Sequence, residues 1–222
     1  MQGVLEEQLA ALLGHSVKLT GAGRTDSGCH ARGQTASLVT ESPLPIGAWS
    51  PCLNRALPGD VRVRAAYDAA PGFDARRSAL ARRYAYRLLR EDDLMLGRFA
   101  WRPPRAVDAD RLTRATASLA GEHDFATFQA TGSTPVATVC RVHRASWRSW
   151  DGGVMLDIIA DHFLYHMVRS IVGTALAVHD DADPGQGMAQ RLRARQRSGA
   201  GTTAPAHGLC LEEVFYPREM AG

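Results

Sequence analysis

Apolar and polar positions along the 222-residue chain repeat with two periods, and the change from one to the other marks out the elements. Val4, Leu5, Leu9, Leu12 and Leu13 recur at helical spacing with Glu6, Glu7 and Gln8 on the outer side, which predicts a helix over 3–13 stopped by Gly14. A short apolar segment (Val17, Leu19) leads into Gly21–Gly28, a stretch too rich in glycine for a regular element. Residues 34–40 read as a strand leaving it. Pro43, Pro45 and Pro51 punctuate the next connection, a short helix is predicted over 49–56, and Leu57-Pro58-Gly59-Asp60 signals a turn. Residues 61–65 (Val-Arg-Val-Arg-Ala) alternate as a half-buried strand should. Residues 82–89 predict another strand, with Arg82, Tyr84, Tyr86 and Leu88 on one face and Arg83, Ala85, Arg87 and Leu89 on the other.

In the second half, Asp108 is a good N-cap for a helix over 109–120 that turns Leu112, Ala115 and Leu119 inward. Strands over 136–147 and 153–160 flank Asp151-Gly152-Gly153, a hairpin signal. Phe163, Leu164, Met167, Val168, Ile171, Val172 and Ala175 form a helical stripe. The polar stretch 180–205 reads as a loop around one short helix, and 209–216 as a closing strand. Helices and hairpin-joined strands in this order predict an α+β fold with a central, mainly antiparallel sheet flanked by helices. With no evident linker, the economical division is two lobes around a shared sheet, 1–100 and 101–222.

Composition adds limits. Hydrophobic residues at 45% and charged residues at 22% are ordinary for a globular protein, which excludes a disordered chain. No run approaches the roughly 18 apolar residues of a membrane span, and Met1 opens no basic-then-apolar signal pattern, so a cytoplasmic protein without a membrane partner is expected. Cys29, Cys52, Cys140 and Cys210 form no C-x-x-C pair, which argues against zinc and against disulfides in an intracellular protein. The formal net charge is only +3, but every basic residue except Lys18 is arginine, whose planar fork suits phosphates and stacks on bases. A G+C-rich coding bias, in keeping with the many Ala and Gly residues, explains the same excess. Composition permits nucleic acid without showing it.

The candidate chemistry lies in Gly21-Ala22-Gly23-Arg24-Thr25-Asp26-Ser27-Gly28-Cys29-His30-Ala31, where polar side chains sit between glycines that allow sharp turns and close approach of a ligand. The segment lacks both the Gly-Lys-Ser/Thr ending of a P-loop and the G-x-G-x-x-G spacing of a dinucleotide turn. Taken alone, it also fits a plain turn in which Asp26 accepts backbone N–H bonds. Elsewhere, His162 and His166 lie four apart and could bind a metal on a helix, although no third ligand is evident. Arg76, Arg77, Arg82 and Arg83 form a basic cluster suited either to RNA phosphates or to a solvated strand face. His30 and Arg32 fit a cleft lining or phosphate contact as well as a turn or helix start.

The Asp26 segment resembles the Gly-Arg-Thr-Asp-Ala-Gly-Val-His-Ala motif of the tRNA pseudouridine synthase A family, with Ser27 in place of Ala and Cys29 in place of Val. Further stretches resemble the family in the same order: Met1–Leu9, Gly33-Gln34, Leu53–Pro58, Phe73–Arg76, Arg83–Tyr86, Asp124–Phe128, His166–Gly173, Ala204–Leu209 and Val214–Pro217. The resemblance spans nearly the whole chain. It implies isomerisation of uridine to pseudouridine in the anticodon stem-loop of tRNAs, with no cofactor and no metal, by a two-lobed homodimer with a basic cleft. Asp26 matches the catalytic aspartate, and Arg24 the arginine that holds the target nucleotide out of the stack. Tyr84 matches the tyrosine that stacks on the target base, and Arg169 the basic residue paired with the aspartate.

The physical chemistry agrees with those assignments. Cleaving a C–N glycosidic bond and forming a C–C bond needs an anionic group beside the sugar, and an aspartate with a reference pKa of about 3.9 supplies one at neutral pH. A carboxylate buried alone costs several kcal/mol, so an arginine beside it is the expected compensation. Whether Asp26 attacks the sugar carbon or removes a sugar proton stays open. The family also carries a strand ahead of its first helix, with a Tyr-Asp-Gly turn and a Gly-Trp-Gln segment; this chain opens at Met1, where that helix begins. A sheet lacking that strand would expose an edge. A second reading therefore stands beside the enzyme: an RNA-binding module of the same fold, impaired in catalysis by N-terminal truncation.

Overall fold

The computed structural model describes residues 1–132, 137–218 and 220. Along them the elements run α1 (Gln2–Leu13), β1 (Thr20–Gly21), β2 (His30–Ala31), β3 (Ala36–Ser37), α2 (Trp49–Ala56), β4 (Ala81–Leu89), α3 (Ala109–Ala117), β5 (Gly121–Asp124), β6 (Val139–Trp150), β7 (Gly153–Ala160), α4 (Met167–Val178), α5 (Pro184–Ala194) and β8 (Leu209–Phe215). The fold is α+β, and among the described residues no helix is long and apolar enough to cross a membrane.

Contacts group the chain into two compact units, Met1–Arg24 with Thr35–Leu80 and Tyr216–Gly222, and Thr25–Gln34 with Ala81–Phe215. The expected division at residue 100 differs because β4, in the first hundred residues, pairs along its length with β7 and β8 near the far end of the chain. Sequence order does not decide which strands share a sheet.

In the smaller unit, α1 and α2 close an apolar cluster of Leu9, Leu13, Leu19, Trp49, Leu53 and Leu57. The helix stop at Gly14 is as expected: φ is 78° and its N–H caps the Ala10 carbonyl at 3.0 Å. Residues 61–65 do not form the expected strand. The amide side chain of Asn54 takes both backbone groups of Val63, each at 2.8 Å, and so replaces the partner strand that the alternation implied. Of 34–40, only Ala36–Ser37 pair, with Thr20–Gly21.

The larger unit is built on a six-stranded sheet in the order β2-β8-β4-β7-β6-β5. Every pairing is antiparallel except β2 with β8, so the mainly antiparallel expectation holds. β6 and β7 join through the hairpin at Asp151-Gly152; the expected start of β6 at 136 lies outside the described residues. α3 packs on β6 and α4 on β4, and α5 packs on both helices. Tyr84, Tyr86, Leu88, Leu156 and Ile158 of the sheet meet Leu112, Ile171, Val172 and Met188 of the helices in one core. α3 starts at its Asp108 cap, which accepts from the Arg111 N–H. α5, the short helix expected within 180–205, is capped in the same way by Asp183.

The opposite sheet face is held by ions. Asp157, only 2% exposed, lies between Ala85 and Ser146 in the register and reaches diagonally to Arg83 on one side (Nε–Oδ2 3.0 Å) and Arg144 on the other (Nη2–Oδ1 2.8 Å). Burial pushes the Asp157 carboxyl up, but the two guanidinium hydrogen bonds outweigh it, and its pKa ends below the ordinary value. A lowered carboxylate pKa means that this stabilisation is complete above the unfolded value and is lost as pH falls through the folded one. Asp157→Asn is therefore expected to destabilise the protein by about 2 kcal/mol at pH 7 in denaturant titrations, with the gap closing as pH falls below about 4.

Candidate active site

Asp26 sits on a tight loop ahead of β2. The Cys29 N–H closes the loop on the Asp26 carbonyl at 3.0 Å, and Gly28 makes the turn with φ 82°, a value that costs side-chain-bearing residues energy. A Cβ at residue 28 would also press on the Ala206 methyl at 3.4 Å. The loop is then anchored by the parallel pairing of His30 and Ala31 with Cys210 and Leu211. This puts a half-buried carboxylate at the edge of the sheet.

Its partners come from the far side of the chain. Arg169, in the first turn of α4, places Nη1 2.8 Å from Asp26 Oδ2 and donates Nε–H to the Ala204 carbonyl at 2.8 Å. The Ala204 N–H returns to the Arg169 carbonyl at 3.1 Å, so the guanidinium is fixed in two directions. His166 reaches the same Oδ2 with Nε2 at 3.0 Å. Burial chiefly lowers the His166 pKa; Asp26 pulls it back up, and Arg169 and Arg197 push it down again, for a net value below the ordinary one.

Tyr84, on β4, is 8% exposed and meets Phe163 edge-on with ring centroids 4.9 Å apart. Burial chiefly, and the charges of Cys29 and Asp26 against the opposing Arg82, push its phenol up to about 12, so it stays protonated. The Cys29 thiol is pushed up to about 11 by burial and by Asp26, which leaves it a poor nucleophile. Nearby, the ring of Tyr86 packs flat under Gly208, where a Cβ would fall 2.6 Å from Cζ, and its hydroxyl donates to the Pro205 carbonyl at 2.8 Å. The 204–208 segment thereby backs both the Asp26 loop and Arg169.

Of the residues expected from sequence, the structure joins Asp26 to Arg169 and sets Tyr84 within reach of the Asp26 charge. Arg24 is exposed and belongs to the smaller unit. His30 begins a strand rather than a helix, and its Nε2 lies 3.0 Å from the Arg98 carbonyl with the ring against Phe99. Arg32 is largely exposed, 3.9 Å from Glu212. Of the basic cluster, Arg76 and Arg77 belong to the smaller unit, where their backbone N–H groups donate to Asp74, and Arg82 and Arg83 to the larger, where they donate to the Asp161 carbonyl and to Asp157.

The metal reading of His162 and His166 fails on geometry. The helix starts at Met167, not Phe163, because His166 has φ 59° and no continuous helix passes through it. His166 faces Asp26, whereas His162 sits 3.3 Å from the Cys140 thiol and 2.9 Å from Asp161. Cys140, Asp161 and His162 are the one group among the described residues whose ligand atoms lie close enough for a metal. In that group burial pushes the Cys140 thiol up to about 12. Sequence reading did not single out His166, whose Nε2 lies 3.0 Å from Asp26 Oδ2; with His166 in the αL conformation ahead of α4, helical spacing gave no signal for it.

The fold is that of an α+β protein with a half-buried aspartate paired to an arginine at the edge of a mainly antiparallel sheet. Residues 115–217 match the family described as tRNA pseudouridine synthase. The chain is 39% identical over 218 residues to tRNA pseudouridine synthase A of Moorella thermoacetica, covering 97% of this chain and 89% of that protein. It is 41% identical to the protein of that name from Aeromonas hydrophila (99% and 82% covered) and 42% identical to the one from Frankia casuarinae (98% and 81%). The chain belongs to the tRNA pseudouridine synthase A family.

Because Arg169 satisfies two acceptors through one planar fork, a lysine cannot replace it at full value. Arg169→Lys is expected to lose about 1 kcal/mol of stability in chemical denaturation despite its unchanged charge, with the Ala204 carbonyl left unpaired.

Proposed function

We propose that this protein isomerises uridine to pseudouridine in the anticodon stem-loop of tRNAs, with Asp26 as the catalytic carboxylate and no cofactor. One observation carries the reading. The Asp26 carboxylate accepts from Arg169 at Oδ2, with His166 Nε2 3.0 Å from the same oxygen, while Oδ1 accepts no hydrogen bond from a described residue. An anionic oxygen without a protein partner is what a reaction at the ribose needs.

The C1′–N1 bond breaks, the uracil turns, C1′ bonds to C5, the C5 proton leaves and N1 gains one. Atoms balance with no external reagent. Asp26 either bonds to C1′ or takes the C2′ proton in the first step. In both cases the negative charge at Oδ1 is consumed as the barrier is crossed, and the Arg169 cation keeps that charge available at neutral pH.

Bringing uridine to Asp26 requires flipping it from its stack, at about a few kcal/mol. Stacking on an aromatic returns roughly 1–3 kcal/mol. Tyr84, edge-on to Phe163, supplies that surface on this reading, and Arg24 holds the vacated backbone, as the family resemblance implies. The family also implies a homodimer working in the cytoplasm, and an arginine-rich chain suits an RNA partner.

Conversion should be measured by mass-resolved digestion of an anticodon stem-loop transcript treated with wild type and with Asp26→Asn. The expected result is conversion by wild type and a loss of at least about 10³-fold in the variant, with tRNA binding retained and salt-sensitive in both. Equal conversion by the two proteins sinks the assignment of Asp26. Binding without conversion by either favours an RNA-binding module.

A further inference from the structure

We propose that Tyr165 is a substrate-binding residue of this site: its ring stacks on the base of the nucleotide that neighbours the target uridine. The inference rests on the function proposed above and names what the site grips in the RNA beyond the uridine itself. Flipping a nucleotide out strips a stacking face from each neighbouring base, and an aromatic side chain that covers such a face recovers part of the loss. A side chain suited to that task is aromatic, close to the carboxylate and open to solvent.

Tyr165 meets all three conditions. Its ring stacks on the imidazole of His166 with centroids 3.9 Å apart and planes 30° from parallel, and His166 Nε2 lies 3.0 Å from Asp26 Oδ2. One ring thus separates it from the carboxylate. It is 45% exposed although the imidazole covers one of its faces, so the other face is open. Tyr84, by contrast, is 8% exposed and packed edge-on against Phe163. With Tyr84 given to the target base, Tyr165 is the exposed aromatic surface one ring further out, where the next base along the strand comes.

The backbone is built to present that ring. In a strand neighbouring side chains point to opposite faces, and in a helix they diverge, so consecutive residues do not ordinarily stack. His166 departs from both with φ 59°, one of two described residues other than glycine with positive φ, and the two rings lie face to face. The Tyr165 carbonyl accepts the Ala130 N–H at 3.0 Å, which fixes the point from which the ring projects. Its hydroxyl is not what holds it: Tyr86 and Tyr216 donate to the Pro205 and Ala75 carbonyls, whereas the Tyr165 hydroxyl has no such partner among the described residues. The flat face is the feature that the fold exposes.

Charge beside the ring suits a nucleic-acid strand. Arg197 donates Nη2–H to Thr203 Oγ1 at 2.8 Å and Nη1–H to the Gly201 carbonyl at 3.4 Å, and its charge bears on the His166 ring. A half-buried guanidinium held in place by neutral acceptors keeps its positive charge available to a phosphate, here the one that links the target uridine to its neighbour. Stacking reads a base's π-face and not its edge, so the contact accepts any neighbouring base. It adds grip on the strand rather than sequence choice.

The test uses anticodon stem-loops carrying the fluorescent base 2-aminopurine on the 5′ or the 3′ side of the target uridine, with wild type, Tyr165→Ala, Tyr165→Leu and Tyr165→Trp. Tyr165→Ala is expected to raise KM roughly 5- to 150-fold, with the effect on KM rather than kcat because the contact is made before the reaction starts. In one of the two RNAs the probe should be dim when bound to wild type and bright when bound to Tyr165→Ala. Tryptophan should restore both the affinity and the quenching. Leucine covers the imidazole but offers no π-face, so it should behave as alanine does; a wild-type KM in Tyr165→Leu means that the ring only packs on His166 and overturns the proposal. Unchanged KM and fluorescence in Tyr165→Ala, with wild type converting uridine, also overturn it and leave the proposed function standing. A wild type that converts no uridine, but whose probe brightens in Tyr165→Ala, removes that function and leaves the stacking site; no conversion and no brightening remove both.

Discussion

The guanidinium of Arg169 ties together three stretches that the chain keeps far apart: the Asp26 loop, the first turn of α4 and the segment at Ala204. A carboxylate withdrawn from water is costly unless a cation and hydrogen-bond donors replace the lost solvent. Arg169 supplies both the cation and a donor. The surrounding structure arranges for them to arrive: β2 pins the loop to β8, Gly28 gives it room against Ala206, and the 204–208 segment seats on Tyr86. If the guanidinium is removed, the carboxylate has no reason to stay where the sheet puts it.

The larger unit uses charge differently on the two faces of its sheet. Beneath the helices the core is apolar, with Tyr86, Leu88, Leu112, Leu156, Ile158 and Ile171 almost wholly out of solvent. On the other face, the buried Asp157 is satisfied by two arginines two residues along the neighbouring strands. Such a pair contributes register specificity more than stability, because a one-residue slip of either strand would strand the carboxylate without a partner. The same rule, that a buried charge must be paired, thus operates at Asp157 and at Asp26. The two differ in what remains open: both Asp157 oxygens accept from arginine, whereas at Asp26 the described residues donate to Oδ2 alone.

Local signals predicted local structure well. The Gly14 stop, the Asp108 cap, the Asp151-Gly152 turn and the alternation over β4 all act within a few residues, and each is where the pattern put it. The failures share a cause. Residues 61–65 alternate like a strand, but Asn54 had already taken the backbone groups of Val63. The stripe from Phe163 reads as helix from its first residue, yet the chain turns at His166 before α4 begins.

The sequence by itself determined the family, through an ordered set of short motifs along nearly the whole chain, and with it Asp26, Tyr84 and Arg169 as residues of interest. It also determined most of the helices and strands, since periodicity, caps and turn residues are read over spans of only a few positions. Tertiary structure alone decided which strands share a sheet, that Arg169 is fixed by Ala204, and that His166 stands beside the carboxylate. Those outcomes depend on groups brought together across as many as 143 positions. No local pattern encodes such a meeting; it follows from burying the core and then pairing every charge and backbone group left inside.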